Sequence, residues 1–157
     1  MSDLRSRNFV FLLYPENAEH MQALDMLKSS CDAYAYIFHD YDVDDDGIPK
    51  KSHIHVVAMF DLKQNKDRLC ASLGIPSNYC DVIRGSVVGS LRYLIHFDDL
   101  DKYQYDVKGV FANPAGLKRF RQAISSRVDE LDAVQRILEF IDSYPSFIAI
   151  SDLSTFV

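Results

Sequence analysis

Residues 52–60, SHIHVVAMF, constrain this chain's fold more than any other stretch. From Val56 to Phe60 every position is apolar, so a strand here is hydrophobic on both faces and belongs in a central position of a sheet. The two histidines that open it, His53 and His55, are two residues apart. Side chains alternate along a strand, so both imidazoles point to the same side, about 7 Å apart. A buried strand that begins with two imidazoles on one face either hydrogen-bonds both or offers them to a metal ion.

The rest of the pattern builds around this strand. Residues 7–14, RNFVFLLY, are aromatic and aliphatic and stop at Pro15, which predicts a strand. Residues 16–30 place Met21, Leu24 and Leu27 at helical spacing, with Glu16 and Glu19 suited to the first turn. Residues 33–39, AYAYIFH, read as a strand running into the acidic loop Asp40–Gly47. Residues 64–73 read as a helix ended by Gly74, residues 79–84 as a strand, and residues 86–97 as a helix with the stripe Val87, Val88, Leu91, Leu94 and Ile95. Helices over 114–126 and 129–143 follow, with Pro145 as a stop. The order β-α-β-β-α-β-α with short links predicts an α+β fold of the ferredoxin-like kind, an antiparallel sheet with helices on one face. Residues 1–127 form the main unit of this reading, and 128–157 a helical appendage. The chain stops at the apolar pair Phe156-Val157, as a piece of a longer protein would.

Charge bears on the partner. The net charge is −6, which taken whole argues against nucleic acid. Its distribution reverses that reading. Residues 128–157 carry −5, and Asp40, Asp42, Asp44, Asp45 and Asp46 carry another −5, so the remainder of residues 1–127 is +4. Cys31, Cys70 and Cys80 are odd in number, widely spaced and free of any CxxC, which points to free thiols in a reducing cytoplasm. No segment reads as a signal peptide or is long enough to span a bilayer.

A hairpin between 33–39 and 52–60 would bring His39 and the nearby Asp42 to the same sheet end as His53 and His55. Three imidazoles and a carboxylate suit Mn²⁺, Zn²⁺, Co²⁺ or, less well, Mg²⁺. The plain alternative is a solvated, hydrogen-bonded histidine face. The run DYDVDDDG echoes the start of a calcium loop but lacks the glutamate at its twelfth position and the flanking helices. Tyr93 lies off the apolar stripe of 86–97, on a face with Ser86, Gly89, Ser90, His96 and Phe97. It is a ring with room around its phenol, or a packed tyrosine like most half-buried ones.

Four blocks, FVFLLYPEN (9–17), FHDYD (38–42), KKSHIHVVAMF (50–60) and YLIHFDD (93–99), together resemble the RepB-type plasmid rolling-circle replication initiators of the HUH endonuclease superfamily. The resemblance covers about residues 8–110 and implies a five-stranded antiparallel sheet with the histidine pair on a central strand. It implies His39, Asp42, His53 and His55 as ligands of one divalent ion, Mn²⁺ foremost, with Mg²⁺, Co²⁺ or Zn²⁺ as alternatives. It implies Tyr93 as a nucleophile that cuts one strand of origin DNA, leaving a 5′-phosphotyrosyl link and a free 3′-OH. It further implies a bacterial cytoplasmic protein, DNA as partner at a single-stranded or extruded nick site, host replication proteins, and a homo-oligomer in the full-length protein. Lys50, Lys51, Arg84, Arg92, His96, Lys102 and Lys108 are candidate DNA contacts, with Lys118, Arg119 and Arg121 further ones. His96, three residues after Tyr93, is either an aid to the phenol or a structural histidine. Other readings are an HUH transposase or mobilisation relaxase, a non-catalytic metal-dependent DNA-binding module, and a plain α+β interaction domain.

Overall fold

The computed structural model describes residues 4–126 and 139–140. It is an α+β fold with five antiparallel strands and four helices. In chain order these are β1 (Arg5–Leu13), α1 (Ala18–Ser30), β2 (Ala33–His39), β3 (His53–Asn65), α2 (Lys66–Leu73), β4 (Cys80–Val82), α3 (Val88–Tyr93), β5 (Phe111–Ala112) and α4 (Pro114–Ser125). The sheet order is β4-β1-β3-β2-β5, which puts the histidine strand in the middle. The expected appendage over 128–157 and its helix over 129–143 lie outside the described residues, apart from 139–140.

Helices pack on both faces of the sheet, where one covered face was expected. Ile54, Val56, Ala58 and Phe60 of β3 join Phe9, Phe11 and Leu13 of β1 against Leu24 and Leu27 of α1 and Leu69 and Leu73 of α2. Val57 and Met59 point the other way and join Ala35 and Ile37 of β2 against Leu91 of α3 and Phe120, Ala123 and Ile124 of α4. The unbroken apolar run of β3 already demanded this, because each of its two faces needs a cover.

Local chemistry sets the ends. Asn17 accepts from the Glu19 and His20 amides and starts α1; Asn65 accepts from the Arg68 amide and starts α2. Gly74 closes α2 in the left-handed region at φ +76°, where a side chain would be strained. Asn113 does three jobs: its Oδ1 accepts from the Gly116 and Tyr34 amides and its Nδ2 donates to the Asp32 carbonyl. This seats α4 directly on β2. Gly116 is the contact point, since a Cβ there would lie 1.9 Å from the Tyr34 carbonyl oxygen.

Three elements differ from the sequence reading. β4 is only three residues long. β5 is the fifth strand that the resemblance implies, but the residue pattern gives it no position, because a two-residue strand has no readable alternation. The helix expected over 86–97 covers only Val88–Tyr93. Beyond Tyr93 the backbone tightens: the Leu94, Ile95 and His96 amides each donate to the carbonyl three residues back, and Phe97 donates to Arg92. His96 then turns into the left-handed region at φ +57°. Of the apolar stripe, Leu91, Leu94 and Ile95 are buried and Val87 and Val88 half-buried, but in a helix followed by a turn, and Phe97 from the Tyr93 face is buried as well. Tyr93 therefore stands at a helix end.

Candidate metal and nucleophile site

β2 ends at His39 and β3 begins at His53, and the antiparallel register pairs those two residues directly. His55 lies opposite Ile37 and Leu12 on the same sheet face. Ring centroids are 5.3 Å apart for His39 and His53, 5.0 Å for His39 and His55, and 5.8 Å for His53 and His55. Asp42 folds back from the loop so that its Oδ2 lies 3.3 Å from His39 Nδ1 and 3.4 Å from His53 Nε2. The four residues singled out as ligands are thus brought together.

Backbone carbonyls orient the rings. His39 Nε2 donates to the Leu94 carbonyl at 2.8 Å, and His53 Nδ1 donates to the Lys51 carbonyl at 2.9 Å. Each ring then presents its other nitrogen, as a lone pair, to the centre. His39 Nδ1 is fully buried and has no hydrogen-bond partner. A buried polar atom without a partner is costly in an apolar interior. The set of oriented imidazole lone pairs beside a carboxylate fits a divalent transition-metal ion, with carbonyls in the outer positions that usually orient ligating histidines.

The electrostatics agree. Burial lowers the His39 pKa, opposed by its bond to the Leu94 carbonyl and by Asp42. Burial, then the neighbouring His39 and His53, lowers His55 to about 3. Both rings are therefore neutral near pH 7 and able to ligate. Burial pushes the Asp42 carboxyl upward, but a hydrogen bond from Tyr105 and the three nearby histidines outweigh it and hold Asp42 below the usual carboxylate range. Asp42 is the only one of the five loop acids in the cluster. Asp44 caps its own turn by accepting from the Asp46 and Ile48 amides, and Asp40, Asp45 and Asp46 are exposed.

Tyr93 faces this cluster from the end of α3. Its ring centroid is 5.1 Å from that of His55 and 6.3 Å from that of His39. Lys102 Nζ donates to Tyr93 Oη at 3.0 Å and sits 4.8 Å from the ring centroid. That hydrogen bond is the largest influence on Lys102 and raises its pKa, so the side chain is an ammonium.

The remaining candidates divide. Lys50, Arg84, Lys118 and Arg119 are exposed. Lys51 pairs with Glu16 and lies over the Tyr14 ring, beside the histidine strand. Lys108 Nζ lies 3.7 Å from Asp106. Arg92 ties α3 to α4: its Nε donates to the Ala123 carbonyl at 2.8 Å and a second nitrogen bonds Ser126. Arg121 is buried within α4, so it is not the surface charge expected there.

Sequence reasoning passed over Tyr105. Its ring stacks on His39 at 4.4 Å and 11°. Its hydroxyl accepts from the Tyr41 amide at 3.0 Å and donates to Asp42 Oδ1 at 2.5 Å. It is one of nine tyrosines, in a stretch without periodicity, and no local signal separates it from the others. The fifth histidine, His20, is buried away from the site and accepts from the Tyr14 amide at 3.0 Å.

Comparison with known proteins adds a second line of observation. Residues 1–116 match the family described as plasmid replication protein, origin binding domain. A replication protein of Staphylococcus aureus is 29% identical over 139 residues, covering 88% of this chain and 69% of that protein. The replication protein RepB of Lactiplantibacillus plantarum is 36% identical over 107 residues, covering 65% of this chain and 46% of that protein. A replication protein of Onion yellows phytoplasma is 30% identical over 121 residues, covering 70% of this chain and 32% of that protein. This chain spans less than half of the last two relatives.

Proposed function

The chain belongs to the plasmid replication protein, origin-binding domain family, and from that premise we propose that it also cuts and rejoins one strand of the DNA it binds, with Tyr93 as nucleophile. The observation that carries this reading is the convergence of Tyr93 on the His39–Asp42–His53–His55 cluster, with Lys102 on its phenol oxygen. A domain that only bound DNA would have no need of a reactive hydroxyl beside a set of bare imidazole lone pairs.

In the proposed step Tyr93 Oη attacks a backbone phosphorus and the bond to the 3′ oxygen breaks. The phenol proton is lost and the 3′ oxygen gains one, so the products are a 5′-phosphotyrosyl end and a free 3′-OH. The phosphodiester energy is kept in the covalent link, which makes the reaction reversible and allows rejoining. The free 3′-OH is a primer for rolling-circle replication. A divalent ion held by His39, Asp42, His53 and His55, with Mn²⁺ the first candidate, would supply Lewis-acid stabilisation of phosphate charge.

The chain's own groups do the rest. The Lys102 ammonium donates to Tyr93 Oη and so favours negative charge on that oxygen. Leu94 and Lys51 carbonyls hold two rings in register with the carboxylate. Arg92 anchors the nucleophile's helix to α4, which in turn is seated on β2 through Asn113. Tyr93 and the cluster thus sit on one rigid frame, as an in-line attack requires. Lys50 and Lys51, next to the histidine strand, would contact DNA phosphates in this reading.

The test is incubation of the chain with 3′-labelled single-stranded origin oligonucleotides and Mn²⁺, followed by denaturing electrophoresis. A label that migrates with the protein, and is lost in Tyr93→Phe without loss of DNA binding, is the expected result. An adduct retained in Tyr93→Phe would overturn the assignment.

A further inference from the structure

We propose that His96 is a further metal ligand, on the nucleophile's side of the cluster, joining His39 and Asp42 through its Nε2; this deepens the metal reading above and rests on it.

Four features of His96 point the same way. It is 1% exposed, and its Nε2 is buried with no hydrogen-bond partner, like His39 Nδ1. Its Nδ1 donates to the Tyr103 carbonyl at 2.8 Å, which leaves Nε2 as the bare acceptor. One donor atom each from His39, Asp42 and His96 lie within 4.8 Å of one another, as do donors from His39, His53 and His55. Donors on opposite sides of an ion at about 2.1 Å are about 4.2 Å apart, so a triplet within 4.8 Å closes on one ion after an inward shift of a few tenths of an ångström. The two triplets share His39.

The backbone argues that this placement is built in. His96 is the only residue other than glycine with positive φ among the described residues. A histidine is uncommon there, and such strain persists only where surrounding contacts over-determine it. They do: the Gln104 side-chain amide donates to the carbonyls of His96, Asp99 and Lys102 at 3.0, 2.9 and 3.0 Å and clips the loop that carries the turn. A histidine present only to hold the Tyr103 carbonyl would not need a second nitrogen buried without a partner. Asparagine would make that bond and suit the left-handed backbone better.

This contrast supplies the experiment. Asn carries an amide nitrogen near the position of His Nδ1 and nothing at Nε2, while Gln reaches the Nε2 position. Mn²⁺ affinity by calorimetry, and the Co²⁺ visible spectrum, are measured on the whole chain as wild type, His96→Asn, His96→Gln and His53→Ala/His55→Ala. The expected result is a loss in Mn²⁺ affinity of about tenfold or more in His96→Asn, a changed Co²⁺ band, and partial recovery in His96→Gln. His96→Asn binding within twofold of wild type, with an unchanged Co²⁺ band, would overturn the proposal. Nitrogen NMR of the wild-type chain titrated with Zn²⁺ decides the matter even if a variant fails to fold. A large shift of His96 Nε2 with Nδ1 still protonated supports ligation, and an unmoved Nε2 refutes it. The two readings fail distinguishably. Wild type that binds none of the three metals removes the metal site altogether. Wild-type binding lost only in His53→Ala/His55→Ala removes His96 alone.

Discussion

Lys102 Nζ stands 3.0 Å from Tyr93 Oη, nine residues away along the chain and across the turn that follows α3. The pairing gives a phenol a fixed cation where its oxygen would gain charge. A hydrogen bond from a charged group is worth about 1.5–3 kcal/mol. Lys102→Met is therefore expected to slow formation of the covalent protein–DNA product by about 10- to 100-fold, with Mn²⁺ affinity unchanged. Lys102→Arg should recover part of the rate. A normal rate in Lys102→Met, with only weaker and less salt-sensitive DNA binding, would make Lys102 a phosphate contact instead.

Tyr105 holds the one carboxylate in the cluster. Removing its hydroxyl frees Asp42 Oδ1 and the Tyr41 amide while leaving the ring stacked on His39. Loss of an outer partner of a ligand typically costs 10- to 100-fold in metal affinity. Tyr105→Phe should thus weaken Mn²⁺ binding by about tenfold and leave the apo protein's far-ultraviolet circular dichroism intact. Calorimetric titration of both proteins with Mn²⁺ checks it.

Acid should destabilise the metal-free protein well before carboxylates titrate. His20, His39 and His55 all have pKa values lowered by burial, His55 to about 3. In the unfolded chain they return to about 6.5. Below that pH the unfolded state binds protons the folded state refuses, so stability is full above about 6.5 and falls as pH drops toward about 3. Asp42, also lowered, adds to the loss at the acid end. Thermal melts in chelator between pH 7.5 and 4.5 should show a falling midpoint, with a shallower slope in His55→Gln. Coincident slopes for the two proteins would contradict the burial argument.

Gly116 is expected to tolerate no side chain. The added Cβ would lie 1.9 Å from the Tyr34 carbonyl oxygen, against backbone that cannot step aside without breaking the Asn113 contacts. Gly116→Ala should cost about 3 kcal/mol, read as a lower urea midpoint. Gly89→Ala, with open space at its Cβ, is the matched control and should shift little.

Much of the frame was legible in the chain. The apolar run of β3 marks the central strand, and its two-faced character holds the reason for helices on both sides. His39 and His53 are placed by register, because a hairpin pairs the end of one strand with the start of the next. The charge pattern also reads correctly in part, since Asp42 enters the cluster while its four acidic neighbours stay exposed.

What the amino-acid sequence determined by itself was whatever strand alternation, hairpin register and helix caps control: an α+β sheet of four readable strands with histidines at one end, the fifth strand and the place of Tyr93 being implied only by the family resemblance. What only the tertiary structure decided lies in the segment from Leu94 to Tyr105, which has no period and no regular element. There His96 turns inward, Lys102 reaches back to Tyr93, and Tyr105 takes hold of Asp42. Those contacts join residues whose spacing encodes nothing by itself. They form because the helix stops at Tyr93, and the loop then closes over the sheet end to satisfy carbonyls, an orphaned carboxylate oxygen and a buried ring.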